Sequence, residues 1–191
     1  MIEHVPDLIG WLGELHDVLS SEGEVRLIVP DKRFTFDHLR TTTPIDSVLY
    51  CHLIKARIPQ PHLAIDYCMN VAKIDPVAAW TGQLNPNELV LHHDAELAMR
   101  VARDIIDNNS YHDIHCWVFT PASFAVLFRK MAELNLINFA CIGFHDTLTN
   151  DIEFFVNIKQ SNNKEEILES WKDMEIAAVS NRPFRNRARE T

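Results

Sequence analysis

Residues 24–37 (EVRLIVPDKRFTFD) constrain the fold more than any other stretch of the chain. Val25, Leu27 and Val29 alternate while Ile28 fills the opposite side, so residues 25–29 read as a short strand buried on both faces. Pro30-Asp31 cannot continue a ladder. A charged and aromatic run follows at once: Asp31, Lys32, Arg33, Phe34, Phe36 and Asp37. Ligands of open α/β sheets bind outside the carboxyl ends of strands, so chemistry is expected here.

The rest of the chain is arranged around that strand. Upstream, Pro6 suits a first helical turn, and Leu8, Ile9, Leu12, Leu15, Val18 and Leu19 form an apolar stripe. Gly23 fits a left-handed helix cap. Residues 34–109 read as helical with no convincing strand, in segments 45–58, 62–73, 76–80 and 87–107. That is far longer than an ordinary crossover, so it is expected to be an insertion covering one end of a sheet. Residues 114–119 read as extended, Thr120 as an N-cap and Pro121 as the first residue of a helix ended by Asn135. Residues 136–144 and 152–158 are two close strands expected to pair as an antiparallel hairpin, and 164–179 is a last, weakly amphipathic helix.

A chain of 191 residues suits one domain with an insertion. Its formal charge is −9, and residues 181–191 contribute four arginines against one glutamate, so the body is more acidic still. A body of that sign argues against a nucleic-acid partner, because phosphate binding needs a basic face. The arginine-rich end reads as a frayed, solvated tail. Cys51, Cys68, Cys116 and Cys141 are widely spaced with no C-x-x-C, which predicts buried free thiols in a reducing compartment. No apolar run is long enough to span a bilayer and no signal peptide is recognisable, so a cytoplasmic location is expected.

Several residues carry the motifs of a known family in order. They are Glu3-His4-Val5-Pro6-Asp7, Glu22-Gly23, the run Val25 to Asp31, and Phe119-Thr120-Pro121-Ala122-Ser123-Phe124, followed by the two strands 136–144 and 152–158. Together they resemble the second half of a class I S-adenosylmethionine-dependent methyltransferase of the small-molecule, type 11-like kind. The resemblance covers residues 1–160 apart from the insertion. It implies an α/β fold: the C-terminal half of a Rossmann-like sheet, with a parallel strand, an antiparallel terminal hairpin and a large helical insertion. The core is then 1–33 with 110–160, the insertion or lid 34–109, and the C-terminal helix and basic tail 161–191. It implies methyl transfer to a small-molecule or sugar-containing acceptor, with S-adenosylmethionine as cofactor. The family builds its cofactor site mostly from a glycine-rich turn in its first half. None of the five glycines here lies in a G-x-G after a strand, so these residues alone are expected to bind the cofactor weakly or not at all and to lack activity. The alternative is a non-catalytic binding or assembly module. Lacking a fourth strand beside it, the edge at residues 25–29 would then pair with a second copy or a partner chain.

By resemblance Glu3 and His4 line the cofactor pocket. Asp31 can accept a proton or orient a hydroxyl, Arg33 can clamp an anionic group and Phe34 can pack on the acceptor. His115 is a candidate general base near the acceptor, Trp117 is either an acceptor contact or core, and His62 opens a helix of the lid. His112 and His115 fall on opposite faces of an extended segment, and His92-His93 point about 100° apart on a helix. No metal site is therefore expected.

Overall fold

Three strands, β1 (Glu24–Pro30), β2 (Phe139–His145) and β3 (Glu153–Gln160), form one sheet in the order β1-β3-β2, antiparallel at both junctions. The computed structural model that shows this describes residues 1–180 and Phe184. The expected hairpin is thus present between β2 and β3, with an irregularity between Cys141 and Gly143, and β3 lies between β1 and β2. β1 is not buried on both faces as its composition suggests. Leu27 and Val29 face inward beside Val156 and Phe154, but Arg26 is exposed and Ile28 is 53% exposed. An apolar residue on the second face cannot by itself supply a layer to cover it.

The covered face packs on two helices, α6 (Pro121–Glu133) and α7 (Lys164–Ser180). Phe124 stacks on Phe128 at 4.2 Å and meets Phe154 of β3 edge-on at 5.6 Å. Trp171 of α7 lies 4.7 Å from Phe128 and donates its indole N–H to the Phe139 carbonyl at 2.8 Å. All four rings are fully buried, and losing a Phe or Trp from such a site costs roughly 3–5 kcal/mol. The start of α6 follows the sequence reading. The Ser123 N–H donates to Thr120 Oγ1, the Thr120 N–H donates to Ser123 Oγ, and Pro121 takes the first turn. Asn135, at φ 58°, turns the chain out of the helix.

The first helix, α1 (Leu8–Val18), starts two residues later than Pro6 implied, because the Asp7 carboxylate caps it by accepting from the Gly10 N–H. It ends at Val18, well short of Gly23. The insertion holds α2 (Ile45–Leu53), α3 (Pro61–Asn70), α4 (Pro76–Trp80), a short 3-10 turn at Pro86–Glu88 and α5 (Ala95–Asn108). α5 is shorter than the expected 87–107, since Asp94 caps it by accepting from the Leu97 N–H. His92 and His93 therefore precede the helix, and Leu91 bridges Ala72. Within the insertion, the chain leaving α3 is tied back to the stretch just after β1, where the Ala72 N–H donates to the Phe36 carbonyl.

Residues 114–119 run extended without forming a regular strand. The N–H groups of Cys116 and Trp117 both donate to the Glu3 carbonyl, and Phe119 makes a single parallel bridge with Asp31. No helix among the described residues is long and apolar enough to cross a membrane. The arginine-rich tail expected to be solvated lies outside the described residues.

Candidate active site

The turns after β1 deliver side chains in two directions. The Arg33 and Phe34 N–H groups both bond back to Asp31, and the Arg40 N–H bonds to the Asp37 carbonyl. These turns send Phe34, Thr35 and Phe36 to a cavity of about 510 Å³ and bury Asp37 and Arg40 behind it. Glu3, Lys73, His92 and His115 also line the cavity, as does Pro30 at the carboxyl end of β1. The insertion forms the far wall. There the Phe34 ring stacks on Trp80 of α4 at 4.0 Å, and the Trp80 indole N–H donates to the Asp151 carbonyl. The buried Thr35 hydroxyl borders the cavity with no protein partner among the described residues.

His115 enters from the extended segment, which two backbone bonds dock onto Glu3. Its Nδ1 lies 2.6 Å from Asp37 Oδ2, and Arg40 Nη1 donates to Asp37 Oδ1 at 2.8 Å. Arg40 Nε continues to Asp66, and its guanidinium lies over the Tyr67 ring. Asp37 and Arg40 are 2% and 1% exposed. Charges so deep are tolerable only when paired and hydrogen-bonded, and this chain of contacts does both. A carboxylate at Nδ1 favours the proton on that nitrogen and leaves a lone pair on Nε2. That lone pair faces Glu3, whose Oε1 lies 4.0 Å away. Burial pushes the neighbouring Tyr67 phenol up, and the Asp37 charge adds to the shift.

Three of the expected residues, Glu3, His4 and His115, are brought together, and Phe34 borders the same cavity. The others go elsewhere. Asp31 is fully buried, and its carboxylate accepts from the Arg33 guanidinium and from Thr147 Oγ1. Both oxygens are occupied, so it is a structural anchor rather than a proton acceptor. Arg33 is committed to Asp31 and Asp146 and does not border the cavity. Burial alone would depress its guanidinium; the bonds and charge of Asp31, with Asp146, more than offset this and raise it. His62 and Trp117 border a separate cavity of about 200 Å³ beside Arg40 and Asp66. There Trp117 is 1% exposed and donates its indole N–H to the Val5 carbonyl, which makes it core. His112 pairs with Asp104 at the surface.

Asp37 and Arg40, which hold His115 in place, are the residues of this cluster that sequence reasoning did not single out. Asp37 closes the charged run after β1, but nothing local distinguishes it from Asp31. No family model, curated protein or solved structure matches this chain.

Proposed function

We propose that these residues form the acceptor-side half of a Rossmann-like S-adenosylmethionine-dependent methyltransferase acting on a small-molecule or sugar-containing acceptor. One observation carries the reading: His115, held through Nδ1 by Asp37, borders a cavity at the carboxyl end of β1, roofed by the insertion. The antiparallel last strand agrees with the family's sheet. His115 Nε2 would take the proton of an acceptor hydroxyl or amine in the cavity, and the acceptor lone pair would take the methyl carbon of the bound cofactor, the sulfonium carbon–sulfur bond breaking with its electron pair kept by sulfur. Asp37 stabilises the imidazolium, an effect of general-base catalysis worth roughly 10²–10⁴-fold. Phe34 and Phe36 offer apolar walls to the acceptor.

The cofactor supplies the electrophilic methyl group when bound. The residues present fit only one side of it. The Glu3 carbonyl is taken up by Cys116 and Trp117, and none of the five glycines lies in a G-x-G after a strand. The glycine-rich turn must therefore come from outside these 191 residues. The test compares source cells carrying the wild-type sequence with cells in which it is replaced by His115→Ala, so that any segment or partner supplying the glycine-rich turn is present. Labelled methyl from S-adenosylmethionine is followed into the small-molecule pool of each lysate. Label that appears with the wild-type chain and is lost with His115→Ala is expected; equal label in both overturns the reading. Low-micromolar cofactor binding by the purified chain in calorimetry would contradict the one-sided site.

The second reading is an assembly module, favoured by one observation. Among the described strands β1 pairs only with β3, so its other edge has no strand beside it.

A further inference from the structure

Glu3, His4 and His115 each offer one ligand atom, and these atoms all lie within 4.8 Å of one another. Glu3 Oε1 is 3.6 Å from His4 Nε2 and 4.0 Å from His115 Nε2. At metal–ligand distances of 2.0–2.1 Å, neighbouring donors of a tetrahedral site are about 3.3 Å apart. Contractions of under 1 Å would therefore close these two edges.

Each histidine also has a carboxylate behind it. His115 Nδ1 meets Asp37 at 2.6 Å, and His4 Nδ1 lies 2.8 Å from Asp113 Oδ1, close but without hydrogen-bond alignment. A carboxylate on the far ring nitrogen is the usual support of a metal-bound imidazole, because it fixes the tautomer and raises the basicity of the ligating nitrogen. Glu3 turns its other oxygen, Oε2, to the Met1 ammonium at 2.8 Å, which leaves Oε1 facing the imidazoles. Glu3, Asp37 and Asp113 give the surroundings three carboxylates against two cations, the Arg40 guanidinium and the Met1 ammonium, a net negative charge. That balance favours a dication. Glu3 and His115 border the large cavity, so a fourth position would open onto it.

We propose that Glu3 Oε1, His4 Nε2 and His115 Nε2 form a binding site for a divalent transition-metal ion of the zinc type. Two imidazoles and one carboxylate suit such an ion better than magnesium or calcium, which take mainly oxygen ligands. The site stands on geometry alone. Its consequence for catalysis rests on the methyltransferase reading: a bound ion occupies the lone pair that proton removal needs, so the metal switches the base off.

The test uses the purified 191-residue chain, stripped with chelator, and no cofactor. Zinc is titrated by calorimetry, and cobalt by its visible absorption as a coordination probe. One ion per chain is expected, with a cobalt spectrum typical of four or five ligands. Asp37→Asn should weaken binding about 10–100-fold, and Glu3→Gln and His115→Ala should weaken it at least as much. His4→Gln changes a partly exposed ring and guards against loss of fold in the buried variants, with circular dichroism as the check. His112→Ala should bind like wild type. No binding by the wild-type chain, or binding unchanged in His4→Gln and Glu3→Gln, overturns the proposal. Methyl transfer measured with chelator present tests the catalytic reading separately.

Discussion

Asp31 holds the guanidinium of Arg33, two residues away, with both carboxylate oxygens, Nε at 3.0 and 2.9 Å and Nη2 at 2.5 Å. The carboxylate is fully buried while the Arg33 side chain is 44% exposed. Removing one partner of a buried pair costs roughly 3–5 kcal/mol, and solvent screening of Arg33 reduces this. Arg33→Ala should therefore lower unfolding free energy in urea by about 2 kcal/mol, chiefly by stranding Asp31. Thr147→Val, which removes one hydrogen bond to Asp31, should cost about 1 kcal/mol. If Arg33→Ala left stability intact and impaired only acceptor use, the arginine would be a substrate clamp after all.

The Asp37 contact sets the tautomer of His115. In the purified chain, nitrogen NMR should find the His115 proton on Nδ1 when the ring is neutral, and Asp37→Asn should redistribute it. In an active assembly, on the methyltransferase reading, the same variant should reduce kcat by about 10²-fold or more and leave acceptor KM nearly unchanged. A rise in KM alone would make Asp37 a binding residue.

Local chemistry made much of the fold legible. Thr120-Pro121 with Ser123 specifies a helix start within four residues, and the two close apolar runs after Asn135 pair as the expected hairpin. Competing local signals misplaced α5. Asn85 caps the 3-10 turn at Pro86–Glu88 with the same chemistry that Asp94 uses for the helix. Periodicity could not reveal that Ile28 faces no covering layer. The site was half legible. Glu3-His4 and His115 were separately notable, but the two backbone bonds that join them span more than a hundred residues. Asp31 and Asp37 look alike in the sequence. Each has an arginine close by in sequence, Arg33 or Arg40, and they differ because Asp37 also meets His115 across the fold.

All four cysteines are free and buried. Burial pushes the Cys51 thiol up to about 11 and those of Cys116 and Cys141 up to about 12, and raises Cys68 too. At pH 8 the thiolate fraction of the first three is roughly one part in a thousand or less. Iodoacetamide should leave the native chain unmodified over a time that fully labels it in denaturant. Rapid native labelling of any one thiol would show that its surroundings open.

Trp80 ties the insertion to the cavity through its stack on Phe34 and its hydrogen bond to Asp151. Aromatic stacking adds about 0.5–1.5 kcal/mol beyond burial. Trp80→Ala should therefore loosen α4 while the sheet and α6 stay folded. Hydrogen exchange would check this: amides in residues 75–90 should lose protection and those of β3 should keep it. Global loss of protection would make the insertion part of the cooperative core.

The edge of β1 is the last feature with a measurable consequence. Arg26 and Ile28 point away from the covered face, and the edge opposite β3 has no strand beside it among the described residues. Unpaired ladder groups next to an exposed isoleucine are a template for pairing with another chain, and a charge on such a strand is the usual deterrent. The purified chain should therefore self-associate as its concentration rises, measured by light scattering, and Ile28→Lys should shift it toward monomer. The variant should fold normally, because Ile28 is 53% exposed and lies outside the core. A wild-type chain that stays monomeric at high concentration would mean that the edge is protected, and the assembly reading would lose the observation that favours it.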